Sequence, residues 1–259
     1  MAKVMRLGGL GTLVVAIVGV FALSGGPAMG APLSTPRAYA CTGGAIPSGS
    51  YASVTVTGAC SVATNAVISV AGNVNVAPNA VLDAQSAPST ITVRGNVNAF
   101  SGSLLGLGCL PNPPEHQTGH PCTVDPTESS SIIINGNVTA IGANTVLLNG
   151  ITVRGNVTLI GGGDQAGNPW PIKNNTIGGN LTVTGATPEW VGVLLNKVGG
   201  NVILTNINIA PGETIQVTLN TIRANLICSG LAPAVSGGVI PGEVNVVGGH
   251  ALGQCASLT

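Results

Sequence analysis

The sequence predicts an all-β fold, a parallel β-helix (solenoid) of about nine coils with one long disulfide-closed insertion. Three observations carry this: a short turn motif recurs at a near-constant interval, apolar residues alternate after each copy, and only 6% of the 259 residues are charged and 2% aromatic. A fixed period of this kind, with short alternating segments and turn residues, is the mark of repeats that stack. Gly, Val, Ala, Asn and Thr dominate, a composition that excludes a helical bundle.

The motif is Gly-Asn followed by Val or Leu, at Gly72-Asn73-Val74, Gly95-Asn96-Val97, Gly136-Asn137-Val138, Gly155-Asn156-Val157, Gly179-Asn180-Leu181 and Gly200-Asn201-Val202. Ala52-Ser53-Val54 precedes these, and weaker copies follow at Ala224-Asn225-Leu226 and Gly242-Glu243-Val244. Counted from the second residue of each copy, the steps are 20, 23, 41, 19, 24, 21, 24 and 18, so the 41 reads as one ordinary step carrying an insertion. After each copy the pattern is apolar, variable, apolar, variable, which is the period of a strand. Val74, Val97, Val138, Val157, Leu181, Val202, Leu226 and Val244 form the first inward column. With coils about 4.8 Å apart, like stacks on like.

Asn suits such a turn because it tolerates left-handed backbone angles and its amide both donates and accepts, so a column of them forms a ladder. A second file is expected at Asn175, Asn196 and Asn220, each five residues before the turn asparagine, with Asn149 joining if two residues are added in its coil. These asparagines read as stacked turns in preference to glycan or ion sites.

The N-terminus differs. Lys3 and Arg6 precede an apolar run over residues 7–23, then small residues and Pro, which reads as a secretory signal peptide. Of two cleavage motifs, Ala28-Met29-Gly30 and Ala38-Tyr39-Ala40, the second lies closer to the first repeat, giving a leader over residues 1–40 and a single domain over 41–259. No later apolar run is long enough to span a bilayer, so no membrane association is expected after cleavage. Removing Lys3, Arg6 and Arg37 from the eight basic residues leaves five against eight acidic ones, a net charge of −3. Five scattered cations make nucleic acid an improbable partner.

An even number of cysteines in an exported chain favours disulfides. The repeat pairs them locally: Cys41 with Cys60 in the first coil, Cys109 with Cys122 around the insertion, and Cys228 with Cys255 in the last coils.

The coil period, stacked aliphatics and Asn turns over residues 45–250 resemble the right-handed parallel β-helix of the pectin-lyase-like class, and most closely its plain secreted bacterial members of uncharacterised role. That resemblance implies the handedness, in line with the right-handed rule for parallel crossovers. Enzymes of this fold need clustered carboxylates, flanking a glycosidic bond or holding calcium. No Asp-Asp or Asn-Thr-Asp signature is present, and Asn175-Thr176 is followed by Ile177. Arg94, Arg154 and Arg223 share the slot before the turn in nonadjacent coils and read as solvated positions. No catalytic residue and no cofactor is expected.

The insertion, residues 101–128, is Pro-rich and holds Glu115, His116, His120 and Asp125. Cys109, His116, His120 and Cys122 have the chemistry of zinc ligands, but oxidised thiols are the expectation for an exported chain, and no metal is expected.

Two surfaces are candidates for contact. Outward residues of the post-turn strands form a flat, uncharged stripe that includes Thr139, Thr158, Thr182, Phe100, Ile141 and Ile160. Trp170 and Trp190, at nearly the same place on adjacent coils beside Asp164 and Glu189, form a candidate platform for a sugar ring. The functional expectation is a monomeric, secreted or envelope-associated module that is structural, adhesive or glycan-contacting and noncatalytic, with polysaccharide or another surface protein as partner. The alternatives are a carbohydrate-active β-helix enzyme and a self-assembling surface scaffold.

Overall fold

The computed structural model of the protein describes residues 35–112, 118–238 and 242–259. They form a parallel β-solenoid of about nine turns with three faces and no helix among the described residues. The first face carries strands such as Ala66–Val70, Ser89–Val93, Ser131–Ile134 and Lys197–Val198. The second begins after each Gly-Asn and includes Val97–Ala99, Val138–Ile141, Val157–Ile160, Leu181–Thr184 and Val202–Thr205. The third is a separate nine-stranded sheet running from Gly44–Ile46 to Val235–Ser236.

Period-two alternation sets what each strand buries. Val138 and Ala140 point inward while Thr139 lies half in solvent, and the same parity holds at Val157, Thr158 and Leu159. The pairing Val97↔Val138↔Val157↔Leu181↔Val202↔Leu226 stacks the predicted column coil by coil. Its last member is Ala251, not Val244: the register puts Ala251 beside Leu226, and Val244 is 49% exposed. The final turn motif is therefore Gly249-His250-Ala251.

The outer asparagine ladder forms as expected. The backbone N–H of Asn96, Asn137, Asn156, Asn180, Asn201, Asn225 and His250 each donates to the Oδ1 of Asn73, Asn96, Asn137, Asn156, Asn180, Asn201 and Asn225 in turn, at 2.7–3.0 Å. That oxygen explains the glycine of the motif, since a Cβ at Gly155 or Gly200 would overlap the amide oxygen of the asparagine one coil earlier. Ala224 is the exception: there Ala224 N to Gly200 O lengthens to 3.2 Å, against 2.9–3.0 Å at Gly155, Gly179 and Gly200. The ladder asparagines do not occupy the left-handed region. Left-handed angles fall elsewhere, at Asn174, Leu195 and Leu219, each just before a member of the inner file.

The inner file is one column of eight buried residues: Ile68, Ile91, Ile132 and Ile151, then Asn175, Asn196, Asn220 and Asn245. Ile151, not Asn149, precedes Asn175, because Asn149 pairs with Lys173 two positions earlier. Asn245 is an added member. Each asparagine accepts from the backbone N–H of the coil before it, at 2.9–3.1 Å. Each also donates Nδ2 to a carbonyl of the third face: Leu148, Ile172, Val193 and Val217 respectively. The two ladders thus run in opposite senses, the outer oxygens facing the C-terminal end and the inner ones the N-terminal end.

All three disulfides form as paired from the sequence, with Cα separations of 6.3, 5.0 and 5.4 Å. Leu104–Leu107 is a strand of the third face, and the chain leaves the coil at Gly108. Arg37–Cys41 pairs in parallel with Gly49–Val56.

Replacing Asn196 with Ala strands buried donors and acceptors of Asn175, Asn220 and Ile172. Denaturant unfolding is expected to show a loss of about 3 kcal/mol, and a clearly smaller loss for Asn156→Ala in the more exposed outer ladder. Equal losses would contradict the distinction between the two files.

Candidate functional site

The predicted tryptophan platform does not form. Trp170 pairs with Val191, so Trp190 sits one residue out of step, and one step in a strand reverses the side chain's direction. Trp170 is fully buried, its Nε1 donating to the Asn144 carbonyl at 3.1 Å. Trp190 is half-buried, and its ring lies over Gly192, where a Cβ would strike it. Asp164 is exposed and accepts from Ala166 N at 2.9 Å, closing its own turn, while Glu189 is half-buried. The buried tryptophan leaves no pair of stacked rings for a sugar.

The described residues of the insertion fold onto the third face. Lys173 Nζ donates to Gly119 O at 2.6 Å, and Asn174 Nδ2 to Thr118 O at 2.9 Å. Leu110 and His120 exchange backbone hydrogen bonds at 2.8 and 2.9 Å, and the Cys109–Cys122 disulfide closes the loop. The disulfide consumes both thiols of the zinc set considered above, and Glu115 and His116 lie outside the described residues. Among the described residues no group of three or more His, Cys, Asp or Glu could hold a metal ion. Asp83, beneath the loop, accepts from Gln85 N, Ser86 N and Ser86 Oγ, so its carboxylate holds a turn.

Burial under the loop pushes the His120 imidazole below its ordinary pKa of 6.5, and Lys173 adds to this while Asp83 opposes it. Burial likewise lowers Lys173.

The outward residues of the second face fall into files. Thr139, Thr158 and Thr182 stand in one half-buried file, and Ile141, Ile160 and Thr184 in the next. Phe100 adjoins Ile141 because Ala99 pairs with Ala140. Phe100, Ile141 and Ile160 are 40%, 49% and 41% exposed, three consecutive coils of apolar ridge. No strand of the second face carries Asp, Glu, Lys or Arg beyond the Gly49–Val56 coil. The sequence revealed this stripe because alternation alone fixes it.

The turn that borders this face holds cations the sequence reading treated as scattered. Arg94, Arg154 and Arg223 each donate a backbone N–H to the coil before (Val70, Ile134 and Val198), which confirms their common slot. Lys197 is exposed two residues before the slot position of its coil, Gly199, and is paired with Thr176 and Thr221.

Comparison with protein-family models, with curated proteins and with solved structures finds no match for the chain.

Because a depressed His120 is neutral when folded and takes up a proton more readily when the loop is released, acid favours release. The loop's attachment is full above pH 6.5 and weakens as pH falls below that value. Hydrogen exchange at Gly119 and His120, expressed as protection relative to the intrinsic exchange rate at each pH, is expected to lose protection on acidification below pH 6.5, and to do so no longer in His120→Gln. Protection independent of pH in the unmodified protein would contradict it.

Proposed function

We propose that the protein is an exported, noncatalytic β-helix of bacterial origin that acts at or outside the cell envelope. In this reading it lays its second face against polysaccharide or another surface protein. The observation that carries the reading is the Phe100, Ile141 and Ile160 ridge. Three large apolar side chains lie open in adjacent coils, beside a threonine file, on a face whose strands bear no charge from the second coil onward. Soluble proteins rarely leave such contiguous apolar surface bare without a contact to make. A rigid sheet presents it flat, so little ordering accompanies association with an equally flat partner.

Export is supported by the three disulfides, which persist in oxidising compartments, and by the charged, then apolar, then small-residue order of the N-terminal sequence. The coil period, Asn turns and aliphatic files resemble secreted bacterial members of the pectin-lyase-like class. The noncatalytic reading draws support from the carboxylates of Asp83, Asp125 and Asp164, each of which accepts hydrogen bonds from its own turn.

The test is retention on insoluble cellulose, chitin and peptidoglycan by the purified protein and by the triple variant Phe100→Thr, Ile141→Thr, Ile160→Thr. Threonine already occupies this file at Thr184 and Thr205 and suits a strand, so the unfolding midpoint serves as the control. Retention on at least one polymer, reduced tenfold or more in the variant, is expected. No retention by the unmodified protein, or equal retention by both, would overturn the reading.

A further inference from the structure

Charge on this solenoid is segregated by face. Beyond the strand Arg37–Cys41, the charged residues on first-face strands or their turns into the second face are Arg94, Arg154, Lys197 and Arg223, all exposed and all cations. The remaining described cation, Lys173, lies under the insertion and is engaged with Gly119. The described acidic residues, Asp83, Asp125, Glu128, Asp164, Glu189, Glu213 and Glu243, sit on the third face or in connections that leave or reach it. The solenoid therefore carries a cationic strip along one long edge of its uncharged face.

The strip has a defined spacing. Counting coils from Arg94, the next holds Asn135 in the slot, the second Arg154, the third Gly178, the fourth Gly199 with Lys197 beside it, and the fifth Arg223. At about 4.8 Å per coil, the charges recur roughly every 10 Å over the first four coils, with Arg223 one coil further. Between Arg154 and Arg223 the glycines leave a shallow groove floored by Gly178 and Gly199 and flanked by Lys197.

We propose that this edge binds a linear acidic polysaccharide carrying one carboxylate per disaccharide, laid along the solenoid axis. The inference deepens the reading of the second face as a glycan-contacting surface and rests on it. Guanidinium groups suit the role because they take carboxylates in bidentate geometry and stay charged at every relevant pH. The neighbouring uncharged face receives the sugar rings, and the acidic third face turns away from the polymer. Duplex nucleic acid fits poorly: each strand brings a phosphate about every 3.4 Å of helix axis, so a file with a cation roughly every second coil would leave most of them unpaired.

Affinity electrophoresis tests this in gels containing hyaluronate, which bears a carboxylate on every second sugar, with dextran and single-stranded DNA as comparison polymers. The variant replaces all four cations: Arg94→Gln, Arg154→Gln, Lys197→Gln and Arg223→Gln, exposed positions where folding is expected to be preserved. Hyaluronate is expected to retard the unmodified protein more than dextran or DNA does. The retardation should fall at least tenfold in the variant and vanish near 1 M salt, where charges are screened beyond roughly 3 Å. Retardation equal in the variant, no retardation by hyaluronate, or stronger retardation by DNA would overturn the proposal. Such a failure remains distinct from failure of the apolar ridge, because the ridge is also read on cellulose and chitin, which carry no carboxylates, with the cations intact.

Discussion

Every feature of this molecule depends on one constraint: each coil must lie in register on the one before it. In a parallel stack like residues meet like residues, which suits aliphatic side chains and suits asparagine among polar ones, because an amide can accept from one neighbour while donating to another. The inner file uses both solutions in sequence. Ile68, Ile91, Ile132 and Ile151 fill it in the N-terminal half, and Asn175, Asn196, Asn220 and Asn245 in the C-terminal half. The first-face strands shorten one coil before the change, from four residues at Ser131–Ile134 to two at Thr152–Val153, where Ile151 still fills the file. Where the strand shortens, the chain turns sharply through left-handed Asn174, Leu195 and Leu219. The asparagine that follows each turn bonds to the carbonyls of the third face that the turn leaves exposed within the wall.

A stack of this kind also decides what the surface can be. Alternation gives each face one inward and one outward set, so the second face becomes a flat array whose composition is set by a few residues per coil. The ridge from Phe100 to Ile160 and the cationic edge from Arg94 to Arg223 are independent of the core, because neither set contributes to the packed columns. Their positions are nevertheless fixed by the ladders. Arg154 stands two coils from Arg94 because the backbone of Asn135 lies between them. The insertion adds a complementary restriction, its described residues covering part of the third face.

Much of the fold was readable in the sequence because the constraint is local and repeated. The outer ladder, the inward columns and the three disulfides all follow from where Gly-Asn recurs. The misreadings come from register: a one-residue offset for the tryptophans, a two-residue offset for Asn149 and a false copy of the motif at Val244. Trp170 and Trp190 fall one step apart in register, which sends one ring into the core and the other outside. Val244 mimics the motif by sitting two residues before Val246, yet Gly248-Gly249 repeats the doublet of Gly178-Gly179 and Gly199-Gly200, and Asn245 stands five residues before His250. That spacing was available and would have placed the last coil correctly. Segregation of the cations from the acids was not readable from the charge count, because only the register shows that Lys197 stands beside the arginine slot and that the acids lie away from it.

The central claim is that the polar file inside the wall, not the exposed ladder alone, holds the C-terminal coils in register. Residue-resolved hydrogen exchange of the backbone amides at Asn175, Asn196 and Asn220 measures this most directly, since each donates to the asparagine oxygen of the next coil. These amides are expected to exchange only with opening of the whole stack, as slowly as those of the strand Val202–Thr205. Exchange at the rate of the corner loops, with the neighbouring strands still protected, would contradict the account.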